Sequence, residues 1–112
     1  MSFERKKKSP ALIMIVNVAG KRVKEKNSTE TFLSVLRILG PETIASMKDV
    51  KVDGLPLIVT NKDYRLQMKK LDDNYYVCTH MPTSYKKSLL ERLAKRMNVV
   101  IHIVLKQSTN SL

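Results

Sequence analysis

The sequence has very few of the residues that build disulfide frameworks and aromatic binding surfaces. Cys78 is its one cysteine, Trp is absent, and Phe and Tyr together make up 5% of the chain. A single cysteine cannot form an internal disulfide, which favours a reducing, cytoplasmic location over a secreted one. Because aromatic rings are scarce, a platform that stacks unpaired bases is not expected.

Glycines and acidic residues are also scarce, and this argues against several classes of enzyme. The three glycines form no Gly-rich phosphate loop and no nucleophile elbow. The acidic residues cluster only as Asp72-Asp73, within a predicted turn, so carboxylates suited to metal-dependent hydrolysis do not converge in any clear way. We therefore expect a protein that is not an enzyme and has no cofactor.

Cys78, His80 and His102 are the residues nearest in type to a metal or nucleophile site. Their spacing fits no established zinc pattern, and the sequence offers no fourth ligand. Cys78 and His80 lie two apart on a predicted strand, so their side chains run parallel and do not suit a nucleophile and its base. His102, inside an apolar run, is interpreted as a core histidine.

No apolar run has the length of a membrane span, which is about 20 residues. The run from Ala11 to Ala19 is interrupted by Asn17 and is typical of a buried strand. Lysines precede it, but a convincing signal-peptide cleavage site does not follow. A membrane partner is not expected.

The 112 residues fit one domain, and 43% apolar with 28% charged residues are values typical of a folded chain. We predict a flexible basic arm at 1–10, an α+β domain at 11–106 and a disordered tail at 107–112. The predicted strands are Leu12–Val18, Arg22–Lys26, Val50–Val52, Leu55–Thr60, Tyr64–Lys70, Tyr75–His80 and Val99–Leu105.

Three helices are predicted between these strands. The first begins after Asn27, a suitable N-cap with Glu30 three positions on, and ends at Gly40. A short second helix spans Glu42–Met47, and a basic third helix spans Ser84–Met97. The expected fold is a mostly antiparallel sheet packed against the N-terminal helix pair and the C-terminal helix, with the last strand in the sheet interior.

The first two helices are not interpreted as a DNA-binding helix-turn-helix. The second helix is short and contains no Lys or Arg before Lys48, so it is poorly equipped to contact phosphates or base edges. Packing at a helical corner explains the pair better.

Positive charge is the strongest global signal. Lys and Arg number 21 against 10 Asp and Glu, a net charge of +11. Residues 1–26 carry +6, residues 27–83 are neutral and residues 84–112 carry +5. If the two ends meet in the fold, they form one positive surface, which favours a polyanionic partner.

The start of the basic helix predicts an anion site. Thr83 or Ser84 can cap it, its first backbone N–H groups are free, and Lys86 and Lys87 follow, with His80 nearby in sequence. An ordinary cap whose lysines extend into water remains an alternative.

We therefore expect a non-catalytic nucleic-acid-binding protein that contacts backbone phosphates, with double-stranded DNA favoured. The predicted contacts are all cations or hydroxyls: Arg5, Lys6, Lys7, Lys8, Lys21, Arg22, Thr83, Ser84, Lys86, Lys87, Arg92, Lys95 and Arg96. The alternatives are a small interaction module or inhibitor that docks on an acidic protein, and an accessory subunit of a DNA-processing complex. A homodimer built by pairing of edge strands also stays open.

Overall fold

A computed structural model describes residues 12–47, 49–52, 54–60 and 68–107. In chain order the elements are β1 (Leu12–Val18), β2 (Lys21–Val23), α1 (Ser28–Leu39), α2 (Pro41–Ala45), β3 (Lys51–Val52), β4 (Leu55–Pro56), β5 (Ile58–Val59), β6 (Met68–Lys70), β7 (Tyr76–Cys78), α3 (Thr83–Arg96) and β8 (Ile101–Gln107). The predicted α+β class is confirmed. The predicted arm, and the predicted tail beyond residue 107, fall outside the described residues.

The largest sheet, called the main sheet below, has the strand order β2-β1-β8 and is antiparallel throughout. β1 lies at its centre and pairs along its whole length with β8, from Leu12 opposite Gln107 to Val18 opposite Ile101. Met14, Val16 and Val18 are buried on one face of β1, whereas Asn17 is exposed on the other. Alternation along a strand therefore gives the sheet a core face and an open face.

The predicted interior position of the last strand is wrong. Among the described residues, β8 pairs only with β1 and forms the edge of the main sheet. Its core-facing residues, Ile101, Ile103 and Leu105, are half-buried, while Val104 on the open face is 52% exposed. An apolar run on both faces is typical of an interior strand, but here the apolar residues of the second face lie on the surface. His102 is also on the open face and exposed, so its interpretation as a core histidine is wrong.

Helices α1 and α3 cover the core face of the main sheet and contact each other. Helix α1 begins as predicted: the side chain of Asn27 accepts a hydrogen bond from the Glu30 N–H at 2.8 Å. It ends at Gly40, whose φ of 110° lies in a region that L side chains rarely adopt. Pro41 then opens α2, which spans Pro41–Ala45 where the sequence predicted Glu42–Met47. Phe32, Leu36, Leu89 and Leu93 are fully buried between the helices and the sheet.

The middle of the chain forms two smaller antiparallel sheets instead of joining one large sheet. β3 pairs with β4, and β7 lies between β5 and β6. The predicted strand Leu55–Thr60 is divided at Leu57, whose N–H donates to the carbonyl of Val50 at 3.0 Å while its carbonyl accepts the Cys78 N–H at 3.3 Å. The β6–β7 hairpin is present as predicted, and Asp72 in its turn accepts the Asn74 N–H at 2.8 Å. Residues 64–67 of the longer predicted strand lie outside the described part.

We predict that Asn27→Ala lowers the free energy of unfolding by about 1 kcal/mol, because the Glu30 N–H loses its acceptor at the start of α1. The measurement is urea denaturation followed by circular dichroism. Asn27→Ser is the matched control, since a serine hydroxyl accepts the same bond and should retain most of the stability. Equal losses in both variants would contradict the capping role.

Candidate nucleic-acid interface

Helix α3 carries its cations on the side that faces away from the core. Leu89, Leu90, Leu93 and Ala94 are buried, which fixes the rotation of the helix about its axis. The opposite side is exposed and polar, as expected for an amphipathic helix of this spacing. The residues on it are Ser84, Ser88, Glu91, Arg92, Lys95 and Arg96, with Lys87 half-buried at its margin. We call this set, including Lys87, the α3 surface.

Two of the four cations on the α3 surface are held by carboxylates. The ammonium of Lys87 lies 2.8 Å from Glu91, four residues further along the helix. The guanidinium of Arg96 lies 2.7 Å from Asp49, which precedes β3. For Arg92 and Lys95, no carboxylate within the described ranges lies at ion-pair distance. These two side chains are therefore the cations of the helix best placed to contact an external anion.

Asp49 is a neighbour of the α3 surface that sequence reasoning missed. The hydrogen bond from Arg96 is the largest of several causes that hold the pKa of this carboxyl below its usual value. Arg92 also lowers this pKa through its charge, without direct contact at ion-pair distance. Asp49 thus places a carboxylate beside the C-terminal end of the α3 surface. Asp49 and Arg96 are 47 positions apart, so the local sequence pattern does not predict their contact.

The start of α3 differs from the prediction. The N-cap is Pro82, so Thr83 and Ser84 lie inside the first turn and neither side chain caps the helix. Proline supplies the extended backbone of a cap but no side-chain acceptor. The hydroxyl of Thr83 lies 3.2 Å from that of Ser28, so the N-terminal ends of α1 and α3 meet. Ser84 is exposed at this end, and His80 is exposed before it.

Lys86 is buried, in contrast to its predicted role in a surface phosphate pocket. It is 4% exposed, and its ammonium donates a hydrogen bond to the carbonyl of Met81 at 2.9 Å. Lys86 precedes Leu89 by three residues and Leu90 by four, so it lies on the apolar side of the helix. That spacing was visible in the sequence and would have placed Lys86 inside. Its ammonium ties α3 to the segment that leads into it.

The cations of β2 lie apart from the α3 surface. Arg22 is opposite Asn17 in the sheet, and both are exposed on the open face, which is the face that α1 and α3 do not cover. Lys21 is exposed at the sheet edge that lies opposite β8. The structure therefore does not bring Lys21 and Arg22 together with Arg92 and Lys95. The predicted contacts at 5–8 fall outside the described residues.

The open face of the main sheet is a second basic surface, and sequence reasoning missed it as a unit. The register places Asn17 between Arg22 on β2 and His102 on β8, while Lys106 lies opposite Ile13. The three strands contain no Asp or Glu. Strand alternation alone would have suggested the pattern, but only the pairing register shows which side chains are neighbours.

Cys78 and His80 do not form a joint site. Cys78 ends β7 and is fully buried, whereas His80 lies beyond the strand and is exposed. Among the residues that the structure describes, no three His, Cys, Asp or Glu side chains come together in a way that could hold a metal ion.

Within the same described ranges, no helix combines the length and the apolar character needed to cross a membrane.

No family model, curated protein sequence or solved structure matches this chain significantly.

Burial lowers the pKa of the Lys86 ammonium from its ordinary value of 10.5, with a smaller opposite influence from Cys78. The unfolded chain therefore binds this proton more tightly than the folded protein does, and folding gains stability as the pH rises toward that value. We predict that the free energy of unfolding of the wild type, relative to Lys86→Met, increases between about pH 7 and about pH 10.

The measurement is urea denaturation of both proteins across this pH range, where titrations shared by the two cancel in the difference. Lys87→Met is the matched control, because the Lys87 ammonium lies at the surface beside Glu91. A wild-type advantage over Lys86→Met that stays flat or falls with pH would contradict the buried position.

Proposed function

We propose that this chain is a non-catalytic nucleic-acid-binding protein that contacts the phosphates of double-stranded DNA through the α3 surface. One observation carries the proposal. The pairing of β1 with β8 joins described residues from both basic ends of the sequence in one structural unit, the main sheet with α3, in which β2 and the α3 surface lie apart. The elements of that unit contain eight Lys or Arg residues and a single carboxylate, Glu91. Such an excess of one sign favours a polyanionic partner.

The contacts assigned to phosphate are those that the fold leaves accessible. Arg92 and Lys95 form the centre, and Lys87 and Arg96 flank them with one carboxylate each. Cations of this kind bind the DNA backbone and release condensed counterions, which supplies affinity without sequence readout. Lys86 is omitted because its ammonium is buried.

The preference for double strands follows from the placement of the aromatic residues. Phe32 is fully buried, and Tyr75, Tyr76 and Tyr85 pack against the core. Stacking on exposed rings is the main source of affinity for unpaired bases, and no aromatic side chain in the described ranges is exposed. A helical backbone with regularly spaced phosphates suits a row of cations better.

The test is fluorescence anisotropy with labelled double-stranded and single-stranded DNA of equal length, titrated at several salt concentrations. We expect tighter binding to the duplex and an affinity that falls steeply with salt, with a slope of about 0.9 for each phosphate contact. Affinity for both DNAs that barely changes with salt would overturn the proposal. If an acidic protein displaces the labelled DNA as readily as unlabelled DNA does, the interaction-module alternative is favoured.

Arg92→Glu with Lys95→Glu should weaken duplex binding by at least about tenfold and reduce the salt slope by about 2, because two phosphate contacts are lost. Lys69→Glu with Lys70→Glu is the matched control. Both lysines are exposed on β6, and the change in net charge is the same. Equal weakening by the two double variants would show that net charge, and not the α3 surface, determines binding.

Asp49→Asn should strengthen duplex binding several-fold and raise the salt slope by about 1, because Arg96 becomes available for a phosphate. Asp73→Asn makes the same change in net charge at an exposed turn, where Asp73 lies 3.9 Å from Lys70. We expect little effect there. The same assay measures both variants. A larger gain in duplex affinity from Asp73→Asn would indicate that the interface lies on the sheet formed by β5, β7 and β6.

A further inference from the structure

No other strand in the described ranges pairs with the edge of β8 that faces away from β1, and this edge presents a row of backbone hydrogen-bonding groups. The Ala19 N–H donates to the Val100 carbonyl at 2.8 Å, one step beyond the pair of Val18 with Ile101. In an antiparallel pair, opposed residues alternate between hydrogen-bonded and non-hydrogen-bonded positions. Val104, four residues from Val100, therefore directs its N–H and C=O toward β1. By the same alternation, four residues of β8 direct their N–H and C=O outward, away from β1: Ile101, Ile103, Leu105 and Gln107.

The two edges of the main sheet differ in a way that singles out β8. β2 has three residues, two of which are the exposed cations Lys21 and Arg22. Short length and charge are devices that protect an edge from pairing with another chain. β8 has seven residues in unbroken register with β1, contains no proline, and has one charged residue, Lys106, near its end. It lacks the protection that β2 has.

We propose that two copies of this protein pair through β8 in antiparallel fashion, about a two-fold axis that passes beside Val104. This register places Ile103 opposite the partner's Leu105, and Ile101 opposite the partner's Gln107. All four outward-directed residues of each copy then fall at hydrogen-bonded positions. The result is one six-stranded sheet with the order β2-β1-β8-β8-β1-β2.

The side chains of the strand fit a second copy. Val104 is 52% exposed at the centre of β8. On a two-fold axis it meets the Val104 of the partner subunit at a non-hydrogen-bonded position, where side chains approach most closely. The core of the strand, from Ile101 to Leu105, contains no Lys, Arg, Asp or Glu. In the register through Val104, Lys106 lies opposite the partner's His102, so no Lys or Arg of β8 opposes another, despite the strongly basic character of the chain.

The first test is sedimentation equilibrium of the full chain after nuclease treatment, so that nucleic acid cannot bridge two molecules. We expect a concentration-dependent dimer in the wild type and a monomer in Val104→Lys. Asn17→Lys is the matched control: it adds the same charge to the same open face, but on the central strand. It should remain a dimer, and circular dichroism checks that each variant is folded.

A wild type that stays monomeric up to its solubility limit would overturn the proposal, as would a dimer that survives Val104→Lys. Loss of the dimer in both lysine variants would instead indicate stacking of open faces, and would also overturn it. The outcome is independent of DNA binding, because the protein is measured after nuclease treatment.

The second test fixes the register by oxidative cross-linking of single cysteine variants. Val104→Cys should form a disulfide-linked dimer, because the paired Cα atoms lie about 4.5 Å apart at a non-hydrogen-bonded position. Val100→Cys is the control. Val100 is more exposed, at 75%, but the register separates its two copies by about 27 Å at 3.4 Å per residue. The native Cys78 is buried and present in both. Faster cross-linking at position 100 would overturn the register.

Discussion

The antiparallel pairing of β1 with β8 is the interaction on which the rest of the structure depends. It joins segments from opposite ends of the sequence, places β1 at the centre of the main sheet, and gives α1 and α3 one shared face to cover. The buried side chains of Met14 and Val16 lie on that face. Without this pairing, the apolar sides of both helices would lack the surface that they bury.

Features with a local physical cause could be predicted from the sequence. Asn27 caps α1 because its side chain reaches the N–H three residues on, and Gly40 ends it because its backbone adopts a positive φ. The β6–β7 hairpin follows from Asp72, whose carboxylate accepts two N–H groups of the turn. Such contacts span a few residues, so composition and spacing determine them.

Features that depend on distant neighbours could not be predicted in the same way. A strand that is apolar on both faces has the same sequence pattern whether its second face packs against another layer or is exposed to solvent. The sequence therefore predicts an interior position for β8, which lies at the edge. The ion pair of Arg96 with Asp49 could not be predicted either, since nothing in the sequence around one residue indicates the other. Lys86 is different: its spacing to Leu89 and Leu90 already placed it on the apolar side, and the general preference of lysine for the surface was the weaker guide.

The sequence distance between β1 and β8 has a consequence for how the chain folds. About eighty residues separate Val18 from Ile101, so forming the pair costs more loop-closure entropy than any local hairpin. Helix α1 and the β6–β7 hairpin can form early from neighbouring residues, whereas β1 must wait for β8. During that interval β1 can pair with β2 alone, so the edge that β8 later covers is exposed, and an exposed strand edge favours aggregation.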